Sequence, residues 1–486
     1  MRKLDELSLL LAAATLSAVP LTVGYDGGEG NSNDAYVPEH WAMESLVILE
    51  ESMVMSKLVH RDFNDQVAQY GDIVNTRQPN RFLSGRKTDI DMVDEQDAIS
   101  RNVQVPLDQH HYVSFIIKDG EASLSFKDLV ATYLKPAIQA VGRGVDRSVS
   151  GQMHKFIDAP SVGRLGGFSA ANARTQLTSA LETLRRANVP QEDLRLILSH
   201  QSQTSLLNTD LFVAMDQSDD SDALRNAMIT RLFNFDIYGA NNVPCVSDLD
   251  TDVSRGEVTD PQTPGQAPAS LAVNITGYEA RVGDWVVVAG NDQPQYVTAA
   301  TVGGGDTTAV TLNVPMKFAT AAGAEIKIYR SLTATNAYGV GFSKEVSVSG
   351  FTNAPQDGQM IATGSGATRK IYTIIESRTD PTNAANRWIL LDRPLEAPIT
   401  QGDFVFPGVA GCFNLAFHRN AIAFVNRPLA TPPPSAGVMS AVAEYNDLSI
   451  RITMQYDSKC QGTRVTCDLL SGVALLDKEM ACLFYG

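Results

Sequence analysis

The sequence predicts an α+β protein, with a long helix organising its first half and an antiparallel β domain inserted before its end. Three observations predict it. Apolar residues recur in steps of three and four at Phe126, Leu129, Val130, Tyr133, Leu134, Ala137, Ile138, Val141, Val145, Val149, Met153 and Phe156, the spacing of one buried helix face. Residues 172–240 alternate between helical and strand-like runs. Beyond Val246 helical periodicity almost vanishes, and short β-rich runs separated by turn formers fill Leu271–Gly402.

Arg2 and Lys3 precede an apolar stretch, Leu7–Val19, that imitates a secretory signal. Asp5 and Glu6 neutralise that basic start, and Leu4, Leu7, Leu11, Ala14 and Ala18 stand at helical spacing, so an N-terminal helix is the other reading. No other run approaches the roughly 18 apolar residues a membrane span needs. Residues 24–34, rich in Gly, Asn and Asp, read as a joint. A helix is expected from Glu39 to Lys57, packing through Trp41, Leu46, Val47, Leu49 and Val54. Extended segments Asp72–Thr76 and Val103–Ile117 then flank a polar stretch with no helical period. It carries Arg77, Arg81, Arg86 and Lys87, followed by Asp89, Asp91, Asp94, Glu95 and Asp97. The plain reading is a solvated hairpin tip. The sharper one is a docking arm whose segregated charges meet complementary patches on neighbouring copies, fixing register more than affinity.

Ser125 with Asp128 gives the long helix a capping-box-like start, and Pro136 should kink it. Its length would be on the order of 45 Å at the α-helical rise. Helices are expected at Ala173–Ala187, Thr204–Met215 and Ser221–Arg231, and strands at Leu194–Leu198 and Leu232–Tyr238. Residues 252–269, rich in Pro, Gly and Thr, read as a domain border. Strand-like runs follow at Trp285–Ala289, Gln295–Thr301, Ala309–Val314, Glu325–Tyr329, Lys370–Ile375 and Trp388–Leu391, enough for one small barrel or sandwich, or two. Gly283-Asp284-Trp285-Val286 is weakly echoed by Gly402-Asp403-Phe404-Val405. Near the end, Leu448–Tyr456 and Arg464–Leu470 read as strands paired around an Asp457–Gly462 turn.

With 44% hydrophobic and 19% charged residues the chain can bury a core, which argues against disorder. A net charge of −16 without a basic stripe suits a protein that does not grip nucleic acid, and permits one that lines a container for it. The five cysteines, Cys245, Cys412, Cys460, Cys467 and Cys482, form no CxxC pair, and free thiols in a reducing compartment are expected. None of the seven histidines lies in HExxH, and His110 and His111, adjacent on a strand, face opposite ways. Gly142-Arg143-Gly144 lies inside the long helical pattern and lacks the setting for phosphate binding. There is no GxSxG elbow, and the Asp89–Asp97 tract lacks the glycine and glutamate of a calcium loop. No catalytic residue, cofactor or metal is expected, and the chain is read as not an enzyme.

Five stretches in order carry a resemblance. They are Val105-Pro106-Leu107-Asp108-Gln109-His110 with Val113-Ser114-Phe115; Phe126–Ile157 with Lys135-Pro136-Ala137; and Phe235-Asp236-Ile237-Tyr238-Gly239-Ala240-Asn241-Asn242-Val243-Pro244. The last two are Asn414-Leu415-Ala416-Phe417-His418-Arg419-Asn420-Ala421 running to Arg427-Pro428-Leu429, and Ile452–Asp457 with Arg464–Ala474. Together they resemble the major capsid (coat) proteins of tailed double-stranded DNA bacteriophages, in the branch of the short-tailed Salmonella phage coat protein. The likeness covers most of residues 35–250 and 402–486 and departs at 248–401, where such proteins often carry an inserted β domain.

The resemblance implies an N-terminal arm (1–60), an extended loop hairpin (61–117), a spine helix (118–160) and an axial domain in two parts (161–247 and 402–430). It further implies an inserted β-rich domain (248–401) and peripheral closing strands (431–486). It implies hexamers and pentamers closing an icosahedral shell that encloses DNA without sequence-specific binding. Scaffolding protein and portal would be partners, no membrane would be involved, and the host cytoplasm would be the place of assembly. Subunit contacts would fall on Arg77, Arg81, Arg86, Lys87, Asp91, Asp94, Glu95 and Asp97, and His418 and Arg419 would be structural. The residues leave two other readings open: an exported surface-layer or adhesin-like binding protein using the β-rich region, and a hydrolase with an appended β domain.

Overall fold

A computed structural model describes residues 38–61, 71–78, 84, 101–118, 130–158, 161–162, 168–169, 172–209, 231–247, 251–263, 270–291, 294–316, 319–341, 344–365, 368–433, 437–445 and 447–485. The readings made for Leu7–Val19 and residues 24–34, the Ser125–Asp128 start and most of the Ser221–Arg231 helix lie outside them.

The long helix runs through Val130–Asp158 as a π turn (Val130–Leu134), an α-helix (Lys135–Gly151) and a 3-10 end (Gln152–Asp158). Pro136 has no N–H to offer the carbonyl four residues back, and the register changes from π to α beside it. Ile138, Val141, Val145 and Val149 bury the face that the three-and-four spacing marks. The face covers a five-stranded sheet built on Gly462–Leu475. That strand pairs with Ile422–Arg427 and Leu448–Asp457, and with Gln109–Lys118 along a register from Gly462↔Lys118 to Ser471↔Gln109. Met439–Tyr445 completes the sheet.

Pro38–Ser52 is a helix laid on this sheet and the long helix, with Trp41 and Leu49 fully buried. Asp146 accepts the backbone N–H groups of Val54 and Ser56 at 2.8 and 3.2 Å, fixing where it ends. The part of the expected 1–60 arm that is described is therefore core. Its apolar face needs the sheet for burial.

A second, seven-stranded sheet joins Gly411–His418 to Ala481–Tyr485, Leu194–Leu198 and Cys245–Val246, with Phe235–Gly239, Arg231–Leu232 and Ser161–Val162 outside these. Helix Ala173–Arg186 covers it through Leu177, Ala180 and Leu184. Three expectations change here. The helix expected at Thr204–Met215 is His200–Leu207, started by Ser199, whose hydroxyl accepts the Ser202 N–H. Leu232–Tyr238 is two strands, broken at Phe233 and Asn234, both at positive φ. Ala481–Tyr485 closes this sheet with Gly411–His418, while Ile422–Arg427 belongs to the other sheet, so the 402–430 and 431–486 divisions do not follow the sheets.

Between the sheets' segments lie two closed barrels of six strands each. The first uses Val253–Val258, Ser270–Ile275, Trp285–Val288, Gln295–Gly303, Asp306–Leu312 and Glu325–Tyr329. The second uses Leu332–Ala334, Glu345–Ser349, Met360–Thr363, Lys370–Thr379, Arg387–Leu391 and Phe404–Pro407. In both, the strands follow one another around the barrel as second, fifth, fourth, third, sixth, first, so the insertion repeats one topology in tandem. The expected border at 252–269 instead supplies the first barrel's opening strand. The second barrel closes only at Pro407, beyond the expected limit of 401.

The same glycine turn leads into the third and sixth strand of each barrel. Gly283, Gly323, Gly358 and Gly402 all have positive φ. The following residue donates its N–H three residues back, from Asp284 to Arg281, Ala324 to Ala321, Gln359 to Gln356 and Asp403 to Thr400. In three of the four, the side chain of that following residue returns a bond to the turn's first N–H.

Candidate assembly interface

Among the sequence-marked contact residues, Arg77 stands in the strand Ile73–Gln78, opposite Asn102. Arg81, Arg86, Lys87, Asp91, Asp94, Glu95 and Asp97, with Asp89, lie outside the described residues. What the structure brings together is the root of their hairpin.

Ile73–Gln78 pairs with Arg101–Pro106, from Ile73↔Pro106 to Gln78↔Arg101, and among the described residues with no other strand. The root closes through Gly71 N to Leu107 O and Leu107 N to Asp72 O, each 2.8 Å. Val105 and Leu107 are fully buried among Ala423, Val425, Leu470 and Ala474 on the face of the five-stranded sheet. Further along, Asn75, Asn102 and Gln104 are exposed, and Asn102 Nδ2 donates to Asn75 Oδ1 at 2.9 Å. Val105 and Leu107 anchor the described part of the ribbon, and Val74 packs against the same cluster.

The sheet face beside that root is polar. Asp468 lies under Arg451, which forks onto its carboxylate and also donates to Ala430 O at 2.6 Å. His110 Nε2 is 3.2 Å from the same carboxylate. Although burial opposes it, hydrogen bonds from His110 and Arg451 hold the Asp468 carboxyl below the usual range. Tyr112, 69% exposed, stands next to this group. His111 points the other way, against Gly144 of the long helix, with Ser148 Oγ at 3.4 Å. Burial, then the charges of Lys344 and His110, lowers its pKa to about 4. His418 Nδ1 accepts the Asn420 N–H at 3.2 Å and so caps the turn Arg419–Ala421.

The barrels are fastened to this body and to each other. At the end of the long helix Thr373 Oγ1 donates to Gly151 O at 3.3 Å, and Asp392 accepts Thr373 N at 2.9 Å. Arg393 bridges Asp392 and Glu396 at 2.6 and 2.9 Å. A Cβ at Gly151 would lie 3.1 Å from Thr373 Oγ1 and 3.2 Å from Asp392 Oδ2, so the approach is a tight one. Between the barrels the Arg369 guanidinium sits over the rings of Trp285 and Tyr296, 4.4 Å from each, and donates to Gly283 O at 2.7 Å. Arg281 stacks on Phe404 at 4.0 Å. Sequence reading missed this joint, because its aromatic and arginine residues are far apart in the chain.

Two of the expected free thiols are bonded. Cys245 and Cys412, directly opposed on paired strands, form a disulfide, while Cys460, Cys467 and Cys482 are free. Pairing across 167 residues is set by topology, which spacing alone does not reveal. Among the described residues no group of three or more His, Cys, Asp or Glu could hold a metal ion, and no helix is long and apolar enough to cross a membrane.

No family model matches the sequence, and no curated protein matches it. Solved structures similar to the chain include one from Mycobacterium phage Che8, 11% identical, covering 89% of this chain and 90% of that one at a TM-score of 0.40. The capsid structure of cyanophage P-SCSP1u is 9% identical, covers 95% and 93%, and has a TM-score of 0.42. One from Gordonia phage Cozz is 8% identical, covers 97% and 93%, and has a TM-score of 0.36. At such scores the likeness carries no weight for the function of this chain.

Proposed function

We propose that the chain is the major capsid protein of a tailed double-stranded DNA bacteriophage, in the short-tailed Salmonella phage branch that its ordered motifs favour. Hexamers and pentamers of it would close an icosahedral shell around the genome, assembled in the host cytoplasm with scaffolding protein and portal. The observation that carries this reading is the hairpin. Among the described residues its two strands pair with each other and with no further strand, and Val105 and Leu107, with Val74 beside them, anchor it to the body. Its charged segment, with Arg81, Arg86 and Lys87 before Asp91, Asp94, Glu95 and Asp97, has the composition of a contact surface between copies. The five-stranded sheet and the Val130–Asp158 helix would be the peripheral body and spine, the seven-stranded sheet the axial body. The tandem barrels would be the insertion.

Sedimentation and electron microscopy of the expressed full-length protein test this reading. Capsomers or closed shells are the expected products. A strictly monomeric species, even with scaffolding protein present, contradicts it.

A further inference from the structure

The chain passes between the seven-stranded sheet and the barrels twice, leaving after Val246 and returning at Gly411. The two crossings run side by side. Gly411 pairs with Val246 and Cys412 with Cys245, and Phe413 N donates to Pro244 O at 3.0 Å. The ladder between the crossings is two residue pairs long, and it stands beside the contacts at Gly151 and Asp108 that also fasten the module spanning Val253–Pro407. The ladder's one covalent tie is Cys245–Cys412. Cys245 is exposed, so a small thiol can reach its sulfur, whereas Cys412 is 2% exposed.

We propose that this bond is a redox-operated lock on the neck of the barrel module, shut in oxidising surroundings and open in thiol-reducing ones. Shutting it takes two electrons and two protons from the two thiols, and a low-molecular-weight disulfide accepts them and becomes two thiols. To open it, the thiolate of an external dithiol attacks the Cys245 sulfur, and Cys412 leaves as a thiolate that takes up a proton. The second thiol of the reagent then displaces the Cys245 thiolate and closes the reagent's own disulfide. While the lock is shut, the crossings cannot part without breaking a covalent bond. Once it is open, only the short ladder and neighbouring packing hold them, and such ladders open by local fraying. The lock is independent of the shell reading, since a monomer has the same neck.

Hydrogen exchange on the full-length chain, with and without a dithiol reductant, reads the neck directly. Reduction should speed exchange at Cys245–Val246 and at the Phe413 amide by about tenfold or more, and leave Leu194–Leu198 unchanged. A non-reduced digest should contain the two cysteines in one linked peptide, and Cys245→Ser should exchange fast with or without reductant. If that variant does not fold, the reduced natural chain supplies the comparison. The proposal is overturned if both thiols are alkylated in folded protein kept with oxidised glutathione. It is equally overturned if reduction leaves exchange at the neck unchanged.

Discussion

Lys344 Nζ donates to the backbone carbonyl of Asp108 at 2.5 Å, so the second barrel holds the corner where the hairpin's return strand enters the five-stranded sheet. Burial lowers the pKa of Lys344 and raises that of Asp108, as expected of a partly dry joint. The barrel module is thereby coupled to the root of the proposed contact arm. Lys344→Met should destabilise the protein by about 1–2 kcal/mol, because the carbonyl loses a charged donor where water enters poorly. Denaturant unfolding checks this; an unchanged midpoint would remove the coupling.

Gly283 and Gly402 separate two reasons for glycine. Both have positive φ, but a Cβ at Gly283 would lie 2.7 Å from Phe406 Cζ, whereas one at Gly402 meets nothing within 4 Å. Gly402→Ala should cost about 1 kcal/mol of backbone strain. Gly283→Ala should cost roughly 2–4 kcal/mol, since the inter-barrel joint must also shift. Equal losses would mean that Phe406 is not packed on that turn.

Much of the fold was legible where residues obey a local period. The steps from Ile138 to Val149 mark one helix face, and Asp457–Gly462 turns back between two strands that do pair. Val253–Val258 was hidden because it interrupts alternation with Arg255, Gly256 and Glu257. The reason lies across the sheet: a Cβ at Gly256 would be 2.3 Å from Asn274 O. The Gly283 and Gly402 echo reflects a real recurring turn but joins positions that do not correspond. By topology Gly283 matches Gly358, and Gly323 matches Gly402. A search for four such glycines would have exposed the tandem repeat. The sheet change between Gly411–His418 and Ile422–Arg427, and the Cys245–Cys412 pairing, depend on long-range register that no window of sequence contains.

Asp284 and Glu396 should respond to pH in opposite directions. Burial raises the Asp284 pKa from 3.8 to about 6, so the fold binds its proton more tightly than the unfolded chain does. Its contribution is full below pH 3.8 and is lost as pH rises through about 6. Burial works against ionising Glu396, but Arg393, with Lys155 and Lys370, overcomes it and holds the carboxyl at about 2. Its contribution is present above pH 4.5 and is lost as pH falls toward 2. Asp284→Asn should flatten the stability profile between pH 3.8 and about 6 by roughly 2 kcal/mol. Glu396→Gln should flatten it below pH 4.5 by about 1 kcal/mol, a smaller effect because its side chain is 37% exposed and screened. Urea midpoints across that range give both signs.

Reversing Arg81, Arg86 and Lys87 to glutamate should leave the monomer folded and misdirect association, since exposed charges add little to folding. Circular dichroism together with sedimentation separates the two effects. A collapsed fold would mean that the segment is part of the body.

Electron microscopy of the full-length protein, expressed with and without a scaffolding protein, tests the central claim most directly. Closed shells or ring-shaped capsomers are expected, with extra density where the two barrels stand on each subunit. Uniform single subunits in every preparation, at concentrations where neighbours meet, would contradict the account.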